Sequence, residues 1–225
     1  PDKPRRPTDD GTVKLHFHEH RGKREINILI NKAQAGDVVY IHFSGHGQQV
    51  TDIHGDEEDG YDEAWIPYDA CLTYNKGIYE GENHILDDQI NRWLTQLRAK
   101  IGSQGKITVV ADACHSGGGS RGDDDTTLVV RGVSDVFLIP HKAVTYTGEK
   151  GGAIEWTFIS ACKSYQCNYE YKGTGSLTYA LSTQNQLSNT PCCDVQRAIR
   201  STISTIIPYT QTPVIESNDK QRSLF

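Results

Sequence analysis

Apolar residues recur along the chain in blocks whose spacing alternates between the helical and the strand period. Residues 25–35 repeat Ile, Leu and Ala at helical spacing before Gly36, and this pattern predicts a helix. Residues 37–43 (DVVYIHF) form a dense run of β-branched and aromatic side chains, which is typical of a buried strand. Residues 106–111 (KITVVA) and 153–161 predict two further core strands.

The same periodicities predict more helices and a closing strand. Asp87 is expected to cap a helix over 89–100, and two later helices are expected over 176–186 and 193–207, followed by a strand over 212–215. Strands that alternate with helices indicate an α/β/α sandwich around a mostly parallel sheet. A chain of 225 residues can bury the core of one such domain.

Composition removes several classes of protein. The net charge is −6 and the basic residues are scattered, whereas a nucleic-acid groove usually shows a basic stripe. No apolar run approaches the ~18 residues of a membrane span. We therefore expect no nucleic-acid or membrane partner and a soluble protein, with the cytoplasm as the default compartment. The six cysteines lack zinc-type CxxC pairing, so most are expected to be free thiols.

Two short motifs stand where predicted core strands end. Residues 44–47 (SGHG) follow one strand and residues 112–117 (DACHSG) follow another, and active sites of open α/β sheets lie beyond such strand ends. Cys114 and His46 are candidate partners in thiol catalysis, because an imidazole can act as the base and lower the pKa of a thiol. His115 is a rival base, but it would face away from the thiol if strand geometry continued to position 115.

Longer stretches around these motifs resemble the metacaspases and their prokaryotic relatives among the caspase-like cysteine peptidases. The resemblance runs from about Ile26 to Gly122 through YIHFSGHGQQ, GDEEDGYDEAWIPYDA, ILDDQI and DACHSGGGSR, and it resumes with FISAC, GSLTYAL and TPVIES. True caspases carry QAC followed by Arg, Gln or Gly, which is absent here. The resemblance implies a caspase-like fold and a cysteine endopeptidase that acts on protein or peptide substrates and requires no cofactor for its chemistry.

The resemblance also implies roles for individual residues. Cys114 matches the nucleophile, His46 matches the general base, and the backbone N–H groups of Gly47 and Cys114 match the oxyanion hole. Ser44 and Asp112 match part of the S1 pocket of metacaspases, which cleave after Arg or Lys. Each stands two positions before a catalytic residue, so that on a strand the pair would share a side, and a carboxylate there suits a guanidinium. The alternative is that Asp112 only caps the end of its strand.

One part of the resemblance has no match in this chain. Metacaspases take further pocket residues, including a second Asp, from an N-terminal strand and the loop after it. We therefore expect a single caspase-like peptidase domain over residues 1–225 that lacks its first strand, unless a separate chain, such as its own N-terminal fragment, supplies it. The metacaspases it resembles are usually monomeric, and a monomer is the expected state.

Acidic residues suggest a calcium site. Asp62, Asp87 and Asp88 match positions that hold the ion in calcium-dependent metacaspases. Arg121 occupies the simple spacing for a fourth ligand, so Asp123 would have to take that role. Carboxylate oxygens suit Ca²⁺, which is expected as an activator. The alternative is that Asp87 and Asp88 only interact with the dipole of the predicted helix.

An enzyme that recognises basic residues also meets its own loops, where nicking concentrates. Arg121, Arg131 and Lys150 each precede a glycine in the stretch 117–152, and they are the candidates for self-processing of a zymogen. The alternative is that they are only solubilising charges.

Two other functions stay open. His16, His18 and His20 would face one side of a strand over 13–18 and could ligate zinc in a zinc hydrolase, although no carboxylate–water arrangement is legible near them. A catalytically silent caspase-fold interaction module is the other alternative. The intact Cys114 and the residues around it argue against that module.

Overall fold

The computed structural model describes residues 21–115, 128–141, 155–185, 187–219 and 223–224. The predicted strand over 13–18 and the three histidines near it lie outside these residues. In chain order the helices and strands are α1 (Arg21–Lys32), β1 (Val38–Ser44), β2 (His46–Thr51), β3 (Tyr61–Ile66), β4 (Ile85–Leu86), α2 (Asp87–Ile101), β5 (Lys106–Asp112), β6 (Thr157–Ser160), β7 (Glu170–Tyr171), β8 (Thr174–Gly175), α3 (Ser176–Ser182), α4 (Cys192–Ile206) and β9 (Val214–Glu216).

Four strands form the central sheet in the order β1-β5-β6-β9. Strands β1, β5 and β6 are mutually parallel and β9 is antiparallel to β6, so the predicted mostly parallel sheet is confirmed. Strand β5 is buried at all but its first residue, because side chains on both of its faces meet apolar layers. Its run KITVVA is therefore apolar without alternation.

Helices cover both faces of this sheet. Alternate side chains of β5 point to opposite faces, and Val109 packs against the layer that contains α1 and α2 while Val110 packs against the layer that contains α3 and α4. Leu97 of α2 and Ile199 of α4 are fully buried in these two layers. Each such side chain contributes about 1.5–3 kcal/mol through removal from water. The result is the α/β/α sandwich expected from the sequence.

A second, antiparallel sheet of β2, β3 and β4 was not predicted. Its residues lie in a polar, glycine-rich stretch whose alternation is weak. The apolar patch over 133–140 attaches to this sheet through a bridge between Val50 and Phe137. Phe137 is fully buried against Val50, Ala64 and Tyr79.

Several element ends differ from the prediction. Leu86 occupies the N-cap of α2 and Asp87 is the first helical residue, so Asp87 is not the cap. Helix α3 ends at Ser182, four residues before the predicted end. No helix among the described residues combines the length and apolar character that crossing a membrane requires.

Candidate active site

The histidine predicted as the base lies at the junction between the two sheets. Strand β1 ends at Ser44, Gly45 bends the chain, and His46 begins β2. The bend requires glycine, because a Cβ at Gly45 would lie 2.7 Å from the ring of Phe43. Ser44 is the register partner of Asp112 on the parallel strand β5, and Gly45 N–H donates to Asp112 O at 3.2 Å. The ends of β1 and β5 are therefore fastened side by side.

The candidate nucleophile lies two residues beyond the end of β5. Cys114 is only 1% exposed. Strand geometry ends at Asp112 and does not continue to His115, so the strand argument against His115 as the base does not apply. Instead, the His115 ring turns toward β3, with Nε2 3.9 Å from Glu63 Oε2. Burial lowers the pKa of His115.

The two predicted oxyanion donors converge on a carbonyl of the chain itself. The N–H of Cys114 donates to Arg131 O at 2.9 Å and the N–H of Gly47 donates to the same oxygen at 3.4 Å. The thiol lies against the next residue, since a Cβ added to Gly132 would lie 2.5 Å from Cys114 Sγ. The peptide bond between Arg131 and Gly132 is thus placed beside the thiol.

The residues before this bond pair with a neighbouring segment as an added antiparallel strand would. Arg131 N–H donates to Asn168 O at 2.9 Å, and Glu170 N–H donates to Val129 O at 2.8 Å. A short antiparallel bridge joins the residues between them. Strand addition of this kind is a common way for a protein to bind an extended peptide.

The guanidinium of Arg131 occupies a pocket between the strand ends. Its Nη2 donates to Ser44 Oγ at 3.0 Å, its Nε donates to Asp112 O at 3.2 Å, and its Nη1 donates to Glu170 Oε1 at 2.7 Å. The Arg131 side chain is 8% exposed. Sequence reasoning missed Glu170, whose only signal was an acidic residue in the YEYKG segment after β6.

The carboxylate of Asp112 makes its hydrogen bonds to residues other than Arg131. Asp112 is fully buried, and its Oδ1 accepts a hydrogen bond from Asn168 Nδ2 at 2.8 Å. Its Oδ2 accepts from the N–H of Thr178 at 2.8 Å and from the Thr178 hydroxyl. A Cβ at Gly175 would collide with this carboxylate. Asp112 therefore fastens the 168–170 segment and the start of α3, and it offers the arginine its backbone oxygen.

The thiol environment favours ionisation of Cys114. A hydrogen bond from the Cys162 thiol lowers the pKa of Cys114, against the opposing effect of burial. Cys162 follows β6, the strand next to β5, and its Sγ also donates to Gln166 O at 3.2 Å. One S–H proton serves a single acceptor at a time. The charge-assisted bond to the thiolate is the stronger of the two once Cys114 is ionised.

His46 is electrostatically suited to accept a proton. Although the residue is exposed as a whole, partial desolvation and then the charge of Arg131 lower the pKa of its imidazole, and Glu170 opposes them. A lowered pKa keeps the ring neutral near pH 7, which a general base requires.

The predicted calcium ligands lie where β3 meets α2. Asp62 is 1% exposed, and one oxygen each of Asp62, Asp87 and Asp56 is buried without a hydrogen-bond partner. Burial, and then neighbouring carboxylates, raise the pKa of Asp62 to about 8, and burial is also the main cause that raises the pKa of Asp87 to about 7. Asp123 lies outside the described residues.

Three residues that sequence reasoning did not assign extend this acidic cluster. Ligand atoms of Asp52, His54 and Asp62 lie within 4.8 Å of one another, as do those of His54, Asp56 and Asp88. Unpartnered buried carboxylate oxygens fit a hard divalent cation, which prefers oxygen ligands.

Together, the α/β/α sandwich and the cysteine and histidine at its strand ends define a caspase-like domain. Residues 9–120 match the family described as metacaspase, peptidase C14 domain, and over this segment the chain is similar to the metacaspases. This family is one of cysteine-type endopeptidases.

Individual curated proteins that are similar to this chain are also metacaspases. Metacaspase-1 of Pyricularia oryzae is 38% identical over 95 residues, which cover 42% of this chain and 21% of that protein. Metacaspase-1A of Aspergillus clavatus is 39% identical over 95 residues, which cover 42% of this chain and 19% of that protein. The match thus spans about a fifth of the length of these curated relatives.

A solved structure supports the fold alone. The crystal structure of a protein from Geobacter sulfurreducens aligns with 92% of this chain and 78% of its own, with a TM-score of 0.58 and 20% sequence identity.

Proposed function

We propose that the chain is a cysteine endopeptidase that cleaves peptide bonds after Arg or Lys, with Cys114 as nucleophile and His46 as general base. The observation that carries the proposal is the seating of Arg131, whose carbonyl accepts from both oxyanion donors while its side chain fills the adjacent pocket. A substrate residue at the P1 position would make the same contacts.

The chemistry follows from this placement. The thiolate of Cys114 attacks the P1 carbonyl carbon, and the N–H groups of Gly47 and Cys114 stabilise the resulting oxyanion. Each such donor is typically worth about 3–4 kcal/mol in the transition state. His46 takes the proton of the Cys114 thiol and gives it to the leaving amine as the C–N bond breaks and the thioester forms. The neutral imidazole then takes a proton from the water that attacks the thioester, and this proton returns to the Cys114 sulfur when the acid product leaves.

Replacement of the nucleophile tests this mechanism. Cys114→Ala should abolish hydrolysis of a fluorogenic peptide that ends in Arg, while the circular-dichroism spectrum and thermal midpoint stay close to those of the unmodified chain. Cys71→Ala, at an exposed cysteine, is the matched control and should retain full activity. Hydrolysis that persists in Cys114→Ala would refute the mechanism.

We also propose self-processing at the bond between Arg131 and Gly132, which supports a zymogen in which Arg131 competes with substrates for the pocket. Of the three predicted processing sites, this is the one within the described residues, and its carbonyl lies on the donors of Cys114 and Gly47. Arg121 and Lys150 lie outside those residues and stay predictions.

Calcium activation is proposed for the acidic cluster between β3 and α2. Asp62, Asp87 and Asp88 are the proposed ligands, and the unpartnered buried oxygens of the first two support the choice. An ion there would be held by oxygen donors and would join β3 to α2. The role of Asp123, the monomeric state and a partner in the form of an N-terminal fragment stay predictions.

Neither alternative function gains support from the described residues. The zinc hypothesis depends on His16, His18 and His20, which lie outside them. A silent interaction module would not require a peptide carbonyl to lie between two N–H donors beside a thiol.

A further inference from the structure

The pocket that holds Arg131 contains a carboxylate that the resemblance to known families did not assign. Glu170 Oε1 lies 2.7 Å from Arg131 Nη1, and it is the acid that forms an ion pair with this arginine among the described residues. The carboxylate of Asp112 makes its hydrogen bonds to Asn168 and Thr178 instead. Glu170 therefore supplies the carboxylate that contacts the guanidinium.

The three nitrogens of the guanidinium each have a different acceptor. Nη1 bonds the Glu170 carboxylate, Nη2 bonds Ser44 Oγ and Nε bonds the backbone oxygen of Asp112. These acceptors surround a planar, forked cation. A lysine ammonium is a compact point charge on a flexible stem and would not reach all three at once. The three acceptors therefore match an arginine side chain better than a lysine side chain.

Glu170 is also held rigidly. It begins β7, which pairs with β8 through the register Glu170–Gly175. The two turn residues, Lys172 and Gly173, both have positive φ angles of 53° and 74°, as in the tight hairpin turns that match strand twist. The backbone N–H of Glu170 donates to Val129 O. Glu170 thus binds the backbone at Val129 through its N–H group and the side chain of Arg131 through its carboxylate.

We propose, on the basis of the peptidase function above, that Glu170 is the specificity-determining residue that recognises arginine at P1. Its carboxylate accepts the charge-assisted hydrogen bond from the substrate guanidinium, and its rigid hairpin sets the distance. Ser44 and the backbone of Asp112 complete the pocket as neutral acceptors.

Hydrolysis of matched peptides gives the first test. Peptides with Arg, Lys or the neutral isostere citrulline at P1 are compared in Arg131→Ala and in Arg131→Ala with Glu170→Gln, so that Arg131 competes with the peptide in neither chain. We expect kcat/KM for the Arg peptide to fall about 10- to 100-fold, in line with loss of a hydrogen bond to a charged group, and the Arg preference over citrulline to collapse. Glu170→Asp should restore part of this preference. The control Glu216→Gln, at an exposed position on β9, should behave like the unmodified chain.

The rate at which iodoacetamide alkylates Cys114 shows whether Glu170→Gln changes only substrate recognition or also disturbs the thiol site. It is compared in Arg131→Ala and in Arg131→Ala with Glu170→Gln, because Arg131 and Gly132 lie over the thiol in the unmodified chain. The two rates should stay close, since Glu170 acts on the substrate side chain. A variant that cleaves the Arg peptide at the unmodified rate, or that loses Arg and citrulline cleavage equally, would overturn the inference while the proposed function stands.

Binding without turnover gives a second test that does not depend on hydrolysis. The double variant Cys114→Ala with Arg131→Ala removes both the nucleophile and the arginine that fills the pocket. Calorimetry should show that it binds an acetylated Arg peptide about 10- to 100-fold more tightly than the same chain with Glu170→Gln added. Equal affinities, or no binding to either chain, would refute the role of Glu170. Absence of hydrolysis in the unmodified chain alongside this affinity difference would refute the proposed function alone.

Discussion

At the scale of single residues, the site depends on charges that act over short distances. Arg131 lowers the pKa of His46 and Glu170 opposes that effect, so the ion pair in the pocket is also part of the environment of the base. The Cys162 thiol lowers the pKa of Cys114 through a hydrogen bond. A thiol that ionises more easily and an imidazole that stays neutral are complementary requirements for a cysteine nucleophile.

Burial also lowers the pKa of a second histidine, His84. His84 is 3% exposed and bonds Tyr79 through Nδ1 at 3.0 Å and Gln48 through Nε2 at 3.1 Å. Burial, and then the charge of Lys23, lower the pKa of His84 to about 4. This neutral ring connects β2 to the loop before β4.

His84 should therefore make the fold sensitive to acid. The ordinary pKa of histidine is 6.5. Between that pH and about pH 4, His84 is therefore protonated in the unfolded chain and neutral in the folded chain. The free energy of unfolding contributed by His84 should fall by about 3 kcal/mol between these values. Urea denaturation of the unmodified chain and of His84→Gln at pH 7 and at pH 5 should show about 2 kcal/mol of this loss.

The comparison between these two chains isolates the histidine. Asp62 and Asp87, whose pKa values are raised, act with the opposite sign, since they destabilise the fold as pH rises, but both are present in each chain. His141→Gln, at an exposed histidine, should keep the pH dependence of the unmodified chain. Parallel pH dependences in the unmodified chain and His84→Gln would contradict the assignment.

At the scale of elements, the positions of the candidate catalytic residues follow from where β1 and β5 end. The parallel register of β1 and β5 places Ser44 opposite Asp112, and both motifs could be located from the sequence because dense apolar runs mark buried strands. The antiparallel sheet that begins at His46 could not be located. Its strands carry glycine, glutamine and acids, and tertiary pairing outweighs their weak local preference.

The acidic cluster between β3 and α2 leads to a prediction about calcium binding. Ca²⁺ should bind the unmodified chain and raise its thermal midpoint, because a ligand that binds only the folded state stabilises it by about 2.7 kcal/mol at 100 times its Kd. Asp62→Asn should remove this shift, since Asp62 has a buried oxygen without a partner. Differential scanning fluorimetry with calcium or with a chelator measures it.

The matched control uses an acid from the same part of the chain. Glu58→Gln, at an exposed position in the loop before β3, should keep the calcium-dependent shift. A shift that survives in Asp62→Asn, or is absent from the unmodified chain, would argue against a calcium site at this junction.

At the scale of the whole molecule, contacts that are distant in sequence complete the site. Cys114 and His46 could be proposed from short motifs that end core strands. Glu170 and the placement of Arg131 in the pocket could not, since their ion pair joins residues 39 positions apart and depends on the pairing of residues 129–131 with residues 168–170. The sequence also led us to expect the Asp112 carboxylate in the substrate pocket. Strand alternation predicts the side of the strand on which a side chain lies, but it does not predict which hydrogen bonds that side chain makes.

The same arrangement predicts a cut within the chain. Arg131 lies with its carbonyl on the N–H groups of Cys114 and Gly47, so the bond to Gly132 is presented to the thiol of the same molecule. Freshly purified enzyme should convert to fragments 1–131 and 132–225, visible by intact-mass spectrometry after incubation with calcium. The rate should not depend on protein concentration, because the reacting groups are already in one molecule.

Three variants assign the cut to this bond and to this thiol. Cys114→Ala should keep a single uncut mass because it lacks the nucleophile, and Arg131→Gln should not be cut after position 131 because its neutral side chain cannot form the ion pair with Glu170. Arg197→Gln, at an exposed arginine of α4, should be cut like the unmodified chain. A cut after position 131 that persists in Cys114→Ala, or that is absent from the unmodified chain and from Arg197→Gln alike, would show that the seated arginine is not a processing site. In that case Arg131 would act only as an internal competitor for the pocket. Arg131→Gln should then raise the initial rate of peptide hydrolysis without cleavage of the chain.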